Sequence, residues 1–192
     1  MDYMKINKNE ALNWLKDNLD EKRYQHSIGT AECAEELGAK YKLNKEKCYI
    51  AGLLHDCAKC FDKDKMLKIL KENTDADETE FLNPKTWHAP VSAHICQTIF
   101  GVTDKEIISA IRWHTLGKLQ MSDFEKVIFL ADKIETKTRK KEYSQIIRNA
   151  LSKGIDNALF VCYKETIKSL VQRELTICPL TIKIYNKMIN VN

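Results

Sequence analysis

Histidine and aspartate residues at apolar positions are the part of this sequence that could carry chemistry. The chain has 192 residues and only five histidines. His55 and Asp56 directly follow the apolar stretch Ile50–Leu54, where burying an imidazole and a carboxylate costs free energy unless something compensates. A single bound metal ion would offset the desolvation of both side chains at once. Neighbours on a helix point about 100° apart, so one ion could be reached by both side chains, leaving the second oxygen of Asp56 for a second ion.

Two further predicted helices also bring a metal-type ligand inward. His114 follows Ile107 and Ile111 at the i, i+4, i+7 spacing of one helix face, and Asp132 interrupts the apolar run VIFLADKI. Either residue alone would more often be a hydrogen-bonded structural group. Three predicted helices each place a possible ligand inward, and His26 and His88 add two more, so a shared metal site explains the pattern better than chance. The residues predicted to bind metal are His26, His55, Asp56, His88, His114 and Asp132.

The donor atoms of this set narrow the metal and the reaction. Nitrogen and oxygen ligands without thiolate favour Fe, Mn, Co, Ni or Zn over Ca or Mg. Six side chains suffice for two ions if Asp56 bridges them. Two ions about 3.5–4 Å apart are the usual arrangement for activating water and neutralising a phosphoryl group. The residues alone therefore predict hydrolysis of a phosphoester or phosphoanhydride and leave the substrate open.

The elements that must position these ligands are predicted to be helices, because helical periodicity dominates and strict alternation is almost absent. Asn7, Asp20 and Asn44 are suited to cap the first three helices. The third is so densely apolar that we expect it at the centre, running to about Cys60. A short helix near Asp62–Lys71 should follow.

Later boundaries rest on two sequence patterns. Thr103…Glu106 and Ser122…Glu125 each have the spacing of a capping box and should open the helices that lead to the last two ligands. Before them, the acidic segment TDADETEF and the following NPKT predict an irregular connection, a lid or surface loop.

Composition indicates one compact helical domain. The chain is 44% hydrophobic with a net charge of +4, and it has only 6 Gly and 3 Pro, which excludes collagen-like and disordered classes. The longest apolar runs are far shorter than the ~20 residues of a membrane span, and the polar start MDYMKINKNE lacks a signal-peptide core, so we expect a cytoplasmic protein. The seven cysteines are odd in number and irregularly spaced, which predicts reduced thiols, including the lone pair Cys57 and Cys60.

The order of the predicted ligands resembles a known signature. His26, then His55-Asp56, then Asp132 is similar to the H…HD…D pattern of the HD-domain metal-dependent phosphohydrolases. The intervening histidines match members that hold two metals. Within that superfamily, the segments GLLHDCAK, WHAPVSA, AIRWHTLG and KVIFLADKIE are similar to stretches of the YqeK-type symmetrical bis(5'-nucleosyl)-tetraphosphatases.

This resemblance implies an all-α HD-domain helical bundle with a metal site in its core. A single domain would span residues 1–192, with the motifs in residues 20–140 and C-terminal helices in residues 142–190 packed on them. The implied reaction is symmetrical cleavage of diadenosine tetraphosphate to two ADP with one or two divalent transition ions, iron first. The alternatives are a nucleotide phosphatase, a cyclic-nucleotide phosphodiesterase, or a nucleotide-binding regulatory module without turnover.

Basic residues near the ligands are the candidates for binding phosphates. Arg23 precedes His26 by three residues and Lys59 follows His55 by four, so each would share a helix face with a ligand. Arg139, just beyond the last ligand helix, could present a bidentate fork. The resemblance implies that Asp56 and Lys59 are catalytic. It also implies that substrate is held by Arg23, Lys59, Thr115 and Gly117, and the position of Arg139 makes it a further candidate.

Departures from the family pattern and the remaining charges complete the sequence predictions. Cys57, Leu116 and Thr136 stand where the family has tyrosine, threonine and proline, and none of them is a predicted ligand. His94 has no counterpart and is expected at the helix surface or in a groove. Lys133–Lys141 contains five basic residues without interleaved aromatics, so we expect a small nucleotide rather than nucleic acid as partner. A homodimer is left open.

Overall fold

Helices are the regular elements of this computed structural model, which describes residue 5 and residues 7–189. The all-helical prediction is confirmed, and no strand occurs in those residues. None of the helices in these ranges is long and apolar enough to cross a membrane. The helices are α1 (Lys8–Asn18), α2 (Glu21–Lys40), α3 (Lys45–Leu54), α4 (Lys63–Asn73), α5 (Glu78–Phe81), α6 (His88–Thr98), α7 (Lys105–Trp113), α8 (Asp123–Ile134), α9 (Lys141–Ala150), α10 (Ile155–Gln172) and α11 (Pro179–Ile189), with one 3₁₀ turn at Leu151–Lys153.

Side-chain caps start most of these helices where the sequence predicts. Asn7, Asp20 and Asn44 each accept a hydrogen bond from the backbone N–H three residues on. The capping box of Ser122 is also confirmed. The box at Thr103 is wrong, because α7 is capped by Asp104, whose carboxylate accepts from the two backbone N–H groups at positions 106 and 107.

The end of α3 differs from the prediction. The helix stops at Leu54, and residues 55–60 continue as turns instead of running helically to Cys60. In these turns the N–H of Cys57 bonds to the carbonyl of Leu54 and the N–H of Lys59 to that of Asp56, so the spacing is three residues rather than four. The helical argument for the directions of the residues after Leu54 therefore does not hold.

The core lies where α2, α3, α7 and α8 pack against one another. Leu53, Leu54, Ile111 and Leu130 are fully buried there. Helices α9 and α10 pack on α8, and α11 packs on α10, which joins the C-terminal helices to the region that carries the motifs. A single domain spanning residues 1–192 stays a prediction. Its two ends, and the predicted end of the C-terminal helices at residue 190, lie outside the described residues, as do residues 1–4, 6 and 190–192 in general.

A buried ion pair fixes the acidic segment TDADETEF (residues 74–81) to the rest of the fold. Glu80 lies in α5, a short helix that was predicted as irregular chain. Its two carboxylate oxygens accept from the two terminal nitrogens of Arg112 at 2.7 and 2.6 Å, and both side chains are buried. Asp75 accepts from the Nε of the same guanidinium at 2.7 Å. The pair fixes residues 75–81 against α7, so they do not form a free surface loop.

Replacing Glu80 with Gln should lower the free energy of unfolding by roughly 1.5–3 kcal/mol, the value of a hydrogen bond to a charged group, because the buried Arg112 loses its main counter-charge. Urea denaturation followed by circular dichroism measures this loss. Glu78→Gln, on the exposed side of the same helix, is the matched control and should stay within about 0.5 kcal/mol of the unmodified chain. Equal midpoints for the two variants would contradict the stabilising role of the pair.

Candidate metal centre

The six residues predicted as metal ligands come together from five parts of the fold. His26 lies in α2, His55 and Asp56 in the turn after α3, and the others at the start of α6, the end of α7 and within α8. All six are buried, with at most 4% of their surface exposed. Buried titratable groups at this density require partners or an ion to offset their desolvation.

His26, His55 and Asp132 form the first of two groups. His26 Nε2 lies 2.9 Å from Asp132 Oδ1. His55 Nε2 lies 3.3 Å from His26 Nε2 and 3.7 Å from the same aspartate oxygen. The donor atoms of these three residues are close enough to one another to share an ion.

The second group is formed by His88, His114 and Asp56. The Nε2 atoms of the two histidines are 3.2 Å apart. Asp56 Oδ1 lies 3.1 Å from Nε2 of His88 and 3.4 Å from Nε2 of His114. Two ring nitrogens and one carboxylate oxygen thus point at the same small volume.

Asp56 stands between the two groups. Its other oxygen, Oδ2, lies 3.9 Å from His26 Nε2 and 3.8 Å from His55 Nε2. The buried Oδ1 makes no hydrogen bond of good geometry within the described residues, although a ring nitrogen is 3.1 Å away. A buried carboxylate oxygen without a hydrogen bond, surrounded by nitrogen ligands, fits a divalent transition ion, and one oxygen facing each group fits a bridging role.

Hydrogen bonds on the far side of three rings turn their Nε2 atoms toward these groups. Nδ1 of His55 and Nδ1 of His114 each donate to the backbone carbonyl three residues earlier, at 2.6 and 2.7 Å. Nδ1 of His26 lies 3.0 Å from Glu135 Oε1. Such outer bonds select the tautomer in which Nε2 carries the lone pair that binds a metal.

The pKa shifts agree with ligand chemistry. Burial lowers the pKa of His88, and it lowers that of His114 to about 3, so both rings are neutral at physiological pH. Burial opposes ionisation of Asp56, but electrostatic interactions with His55, His88 and Lys59 hold the pKa of its carboxyl well below the usual range. Burial also disfavours protonated His26, yet hydrogen bonds to carboxylates raise its pKa, so a metal there must displace a proton.

Glu135 is a residue that the sequence reasoning missed. Its side chain is fully buried, and besides His26 it binds the backbone N–H groups of Lys137 and Thr138 at 2.6 and 3.0 Å. A Cβ at Gly29 would lie 2.5 Å from Glu135 Oε2, so only glycine leaves room for this carboxylate. Its signal in the sequence is a glutamate three residues after Asp132 in a mostly apolar run.

Glu135→Gln should weaken metal affinity about tenfold, the lower end of the effect of losing an outer partner, because an amide oxygen still accepts from the ring but carries no charge. Competition with a chromogenic chelator measures this affinity. Glu142→Gln, exposed at the start of α9, serves as the control. An unchanged dissociation constant in the Glu135 variant would show that this carboxylate does not support His26 as a ligand.

The predicted phosphate-binding residues differ in how they approach the site. Lys59 Nζ lies 3.0 and 2.9 Å from the two ring nitrogens of His88, and burial lowers the pKa of this lysine. Arg23 Nη1 lies 3.5 Å from Asp56 Oδ2. Arg139 donates from Nε to the backbone carbonyl of Asp132 at 2.6 Å and from Nη2 to its carboxylate. All three cations therefore border the groups of ligands.

Thr115 and Gly117 have different environments. Thr115 Oγ1 lies 3.1 Å from Nε2 of both His88 and His114. The N–H of Gly117 instead bonds to the carbonyl of Trp113 at 2.8 Å, so it is not directed at a phosphate. With φ at +74° and the Tyr163 hydroxyl where a Cβ would stand, Gly117 is needed by the turn itself.

Two more basic or titratable residues complete the description. Lys133, which the sequence reasoning did not single out, contacts the carboxylate of Asp132. His94 is partly exposed and lines an open groove on α6 and α7 with Lys105 and Arg112, as expected for a surface or groove residue.

Comparison with known proteins agrees with this arrangement. The HD domain model matches residues 23–137. The chain belongs to the HD-domain family. HD domains are metal-dependent, and the donor atoms of His26, His55 and Asp132, and those of His55, Asp56 and His114, lie close enough together to hold an ion. His88 joins the second set through its contacts with Asp56 and His114. The resemblance noted from the motifs is thereby confirmed.

Relatives of this HD protein extend over nearly its whole length. A protein of Halalkalibacterium halodurans named "Bis(5'-nucleosyl)-tetraphosphatase, symmetrical" is 33% identical over 96% of this chain and 98% of its own. A protein of Bacillus subtilis with the same name is 34% identical over 96% and 99%. The crystal structure of a "predicted HD superfamily hydrolase involved in NAD metabolism" from Clostridium acetobutylicum has 30% identity and a TM-score of 0.91, covering 97% of this chain and 99% of that one.

Proposed function

We propose that this HD protein hydrolyses diadenosine tetraphosphate symmetrically to two ADP. The position of Asp56 supports the reaction class, because one of its oxygens faces each of two groups of buried nitrogen and oxygen ligands. Two metals about 3.5–4 Å apart act on phosphoryl groups in many hydrolases. The relatives of near-equal length with the tetraphosphatase name support the substrate.

The ligands for each ion follow from the distances. His26, His55 and Asp132 would hold one ion, His88 and His114 the other, and Asp56 would be shared. Iron is our first choice, with Mn, Co, Ni and Zn also suited to these donors. When bound, the ions supply activated water and offset negative charge on the phosphoryl oxygens.

The chain's own polar groups would bind and orient the tetraphosphate. Lys59, Arg23 and Arg139 border the ligand groups, where their donors can form charge-assisted bonds to phosphate oxygens. The hydroxyl of Thr115 can donate to a phosphate beside the second group. These side chains are half-buried, so less water competes for their donors than at a fully exposed position.

Product analysis tests the proposal. Protein loaded with Fe, Mn, Co, Ni or Zn is incubated with diadenosine tetraphosphate in water enriched in oxygen-18, and products are resolved by chromatography and mass spectrometry. We expect two ADP, one of them carrying the heavy oxygen. Formation of AMP and ATP would contradict symmetrical cleavage. Turnover confined to mononucleotides or cyclic nucleotides would favour the phosphatase or phosphodiesterase alternatives, and tight binding without turnover the regulatory module. A cytoplasmic location and a homodimer stay predictions.

A further inference from the structure

A cavity of about 250 Å³ opens beside the second ligand group. Its inner wall is apolar and aromatic, formed by Phe129, Tyr163, Leu170 and Leu175. The rings of Phe129 and Tyr163 stack at a centroid distance of 5.3 Å, and the Tyr163 hydroxyl donates to the carbonyl of Leu116 at 2.6 Å, so both rings are held in place by packing and a hydrogen bond. The volume is just below the ~300–1,000 Å³ of small-molecule pockets, which suits one nucleoside and not two.

Thr115 joins this cavity to the ligand groups. It lines the cavity, and its hydroxyl lies 3.1 Å from Nε2 of His88 and of His114. Lys133 also joins the cavity to the ligand groups, because it lines the cavity and contacts the carboxylate of Asp132. A molecule in the cavity would therefore extend directly to the site of phosphoryl chemistry.

The cations around the cavity favour a nucleoside that carries phosphate over one that carries none. Lys85, Lys133 and Arg173 are among its lining residues, and no carboxylate is among those that the structure describes. Lys85 and Arg173 are exposed and have no ion pair with another described residue. Threonine hydroxyls supply neutral donors and acceptors around the rest of the wall. Apolar aromatic surface, hydroxyls and cations together match a base, a ribose and a phosphate.

Part of the cavity lining comes from a different part of the chain than the predicted metal ligands. The HD domain model ends at residue 137, yet Tyr163, Leu170, Arg173 and Leu175 come from α10 and the segment that follows it. We propose that the C-terminal helices form a nucleoside pocket that holds one nucleoside of the dinucleotide, while the ligand groups receive its phosphates. This inference rests on the proposed function for the identity of the whole substrate. The pocket itself is defined by its lining.

Filling the cavity tests this proposal. Leu175→Trp places a large ring in the cavity at a half-buried position outside the helices. Calorimetry on metal-loaded protein compares ADP with inorganic pyrophosphate, which has no nucleoside. We expect the variant to weaken ADP binding at least about tenfold and pyrophosphate binding less than about twofold, because only the nucleoside contacts are lost. For diadenosine tetraphosphate, KM should rise with kcat nearly unchanged, as for contacts equal in ground and transition states.

Substitutions at exposed positions keep the test decisive if Leu175→Trp does not fold. Arg173→Ala removes a cation at the rim of the cavity and should weaken ADP binding about twofold to fivefold. Lys164→Ala, exposed on α10 and outside the cavity lining, is the matched control and should bind ADP as the unmodified chain does. Should Leu175→Trp lose its helical signal in circular dichroism, the comparison of Arg173→Ala with Lys164→Ala decides.

The outcomes separate this proposal from the proposed function. Unchanged ADP affinity in folded Leu175→Trp, or equal affinities of Arg173→Ala and Lys164→Ala, would overturn the pocket even if two ADP are released from diadenosine tetraphosphate. A selective loss of ADP affinity would support the pocket even if that dinucleotide is not cleaved, and then only the proposed reaction would fail. Equal losses for ADP and pyrophosphate in folded Leu175→Trp would also overturn the pocket, since filling the cavity would then disturb phosphate binding alone.

Discussion

Replacing Asp56 with alanine should lower kcat for diadenosine tetraphosphate by at least about 10³-fold, well beyond the tenfold to hundredfold loss typical of an outer partner. The reason is its position, with Oδ1 next to His88 and His114 and Oδ2 next to His26 and His55. Loss of this one carboxylate removes a donor from both groups. The variant should also retain less metal after gel filtration.

The controls for this prediction distinguish chemistry from folding. Helix content should stay near that of the unmodified chain, because Asp56 lies in a turn and fills little space. Circular dichroism and metal analysis are measured on the same sample. His94→Ala, at a partly exposed histidine away from the ligand groups, should keep nearly full activity. Full activity of Asp56→Ala would remove this residue from the mechanism.

The predicted ligands could be found from sequence because they break a local pattern. A histidine or aspartate on the apolar face of a helix must point into the core, whatever the tertiary arrangement, as His114 and Asp132 do. Periodicity therefore indicates which polar side chains are buried. Several such residues on different helices favour a shared site.

The local geometry after α3 was not predictable from periodicity. Dense apolar residues continue toward Cys60, but the backbone leaves the helix after Leu54, and the ring of His55 bonds to a carbonyl of the last helical turn. This bond competes with continuation of the helix, because it uses an acceptor that the next residues would need. The result places His55 and Asp56 in a turn, so their directions follow from that turn.

The outer partners and the cavity depend on contacts between distant segments. Glu135 meets His26 across 109 positions of the chain. The cavity wall forms only when α10 packs on α8 and brings Tyr163 against Phe129. No local pattern encodes which side chains face each other after such packing. Sequence reasoning therefore found the inward-facing ligands and missed the groups that orient them.

Lys59→Ala should reduce kcat/KM for diadenosine tetraphosphate about tenfold to hundredfold while metal content stays unchanged. The helical argument for Lys59 is wrong, since the residue lies in the turns after α3, yet its Nζ reaches the ring nitrogens of His88 and lies 4.0 Å from Asp56 Oδ1. An ammonium there can approach a phosphate beside the ligands without being a ligand itself. One charge-assisted bond is worth roughly 1.5–3 kcal/mol, which corresponds to that loss of rate.

Separating kcat from KM shows when the lysine acts. A bond present equally in ground and transition states raises KM alone, whereas a bond that strengthens as charge develops lowers kcat as well. Lys63→Ala, at the exposed start of α4, controls for the general loss of one positive charge, and low salt avoids screening of the interaction. Because Lys59 is mostly buried beside His88, its removal should have a much larger effect than that of Lys63. Equal kcat/KM for the two variants would show that Lys59 acts only as a distributed charge and has no direct contact with the substrate.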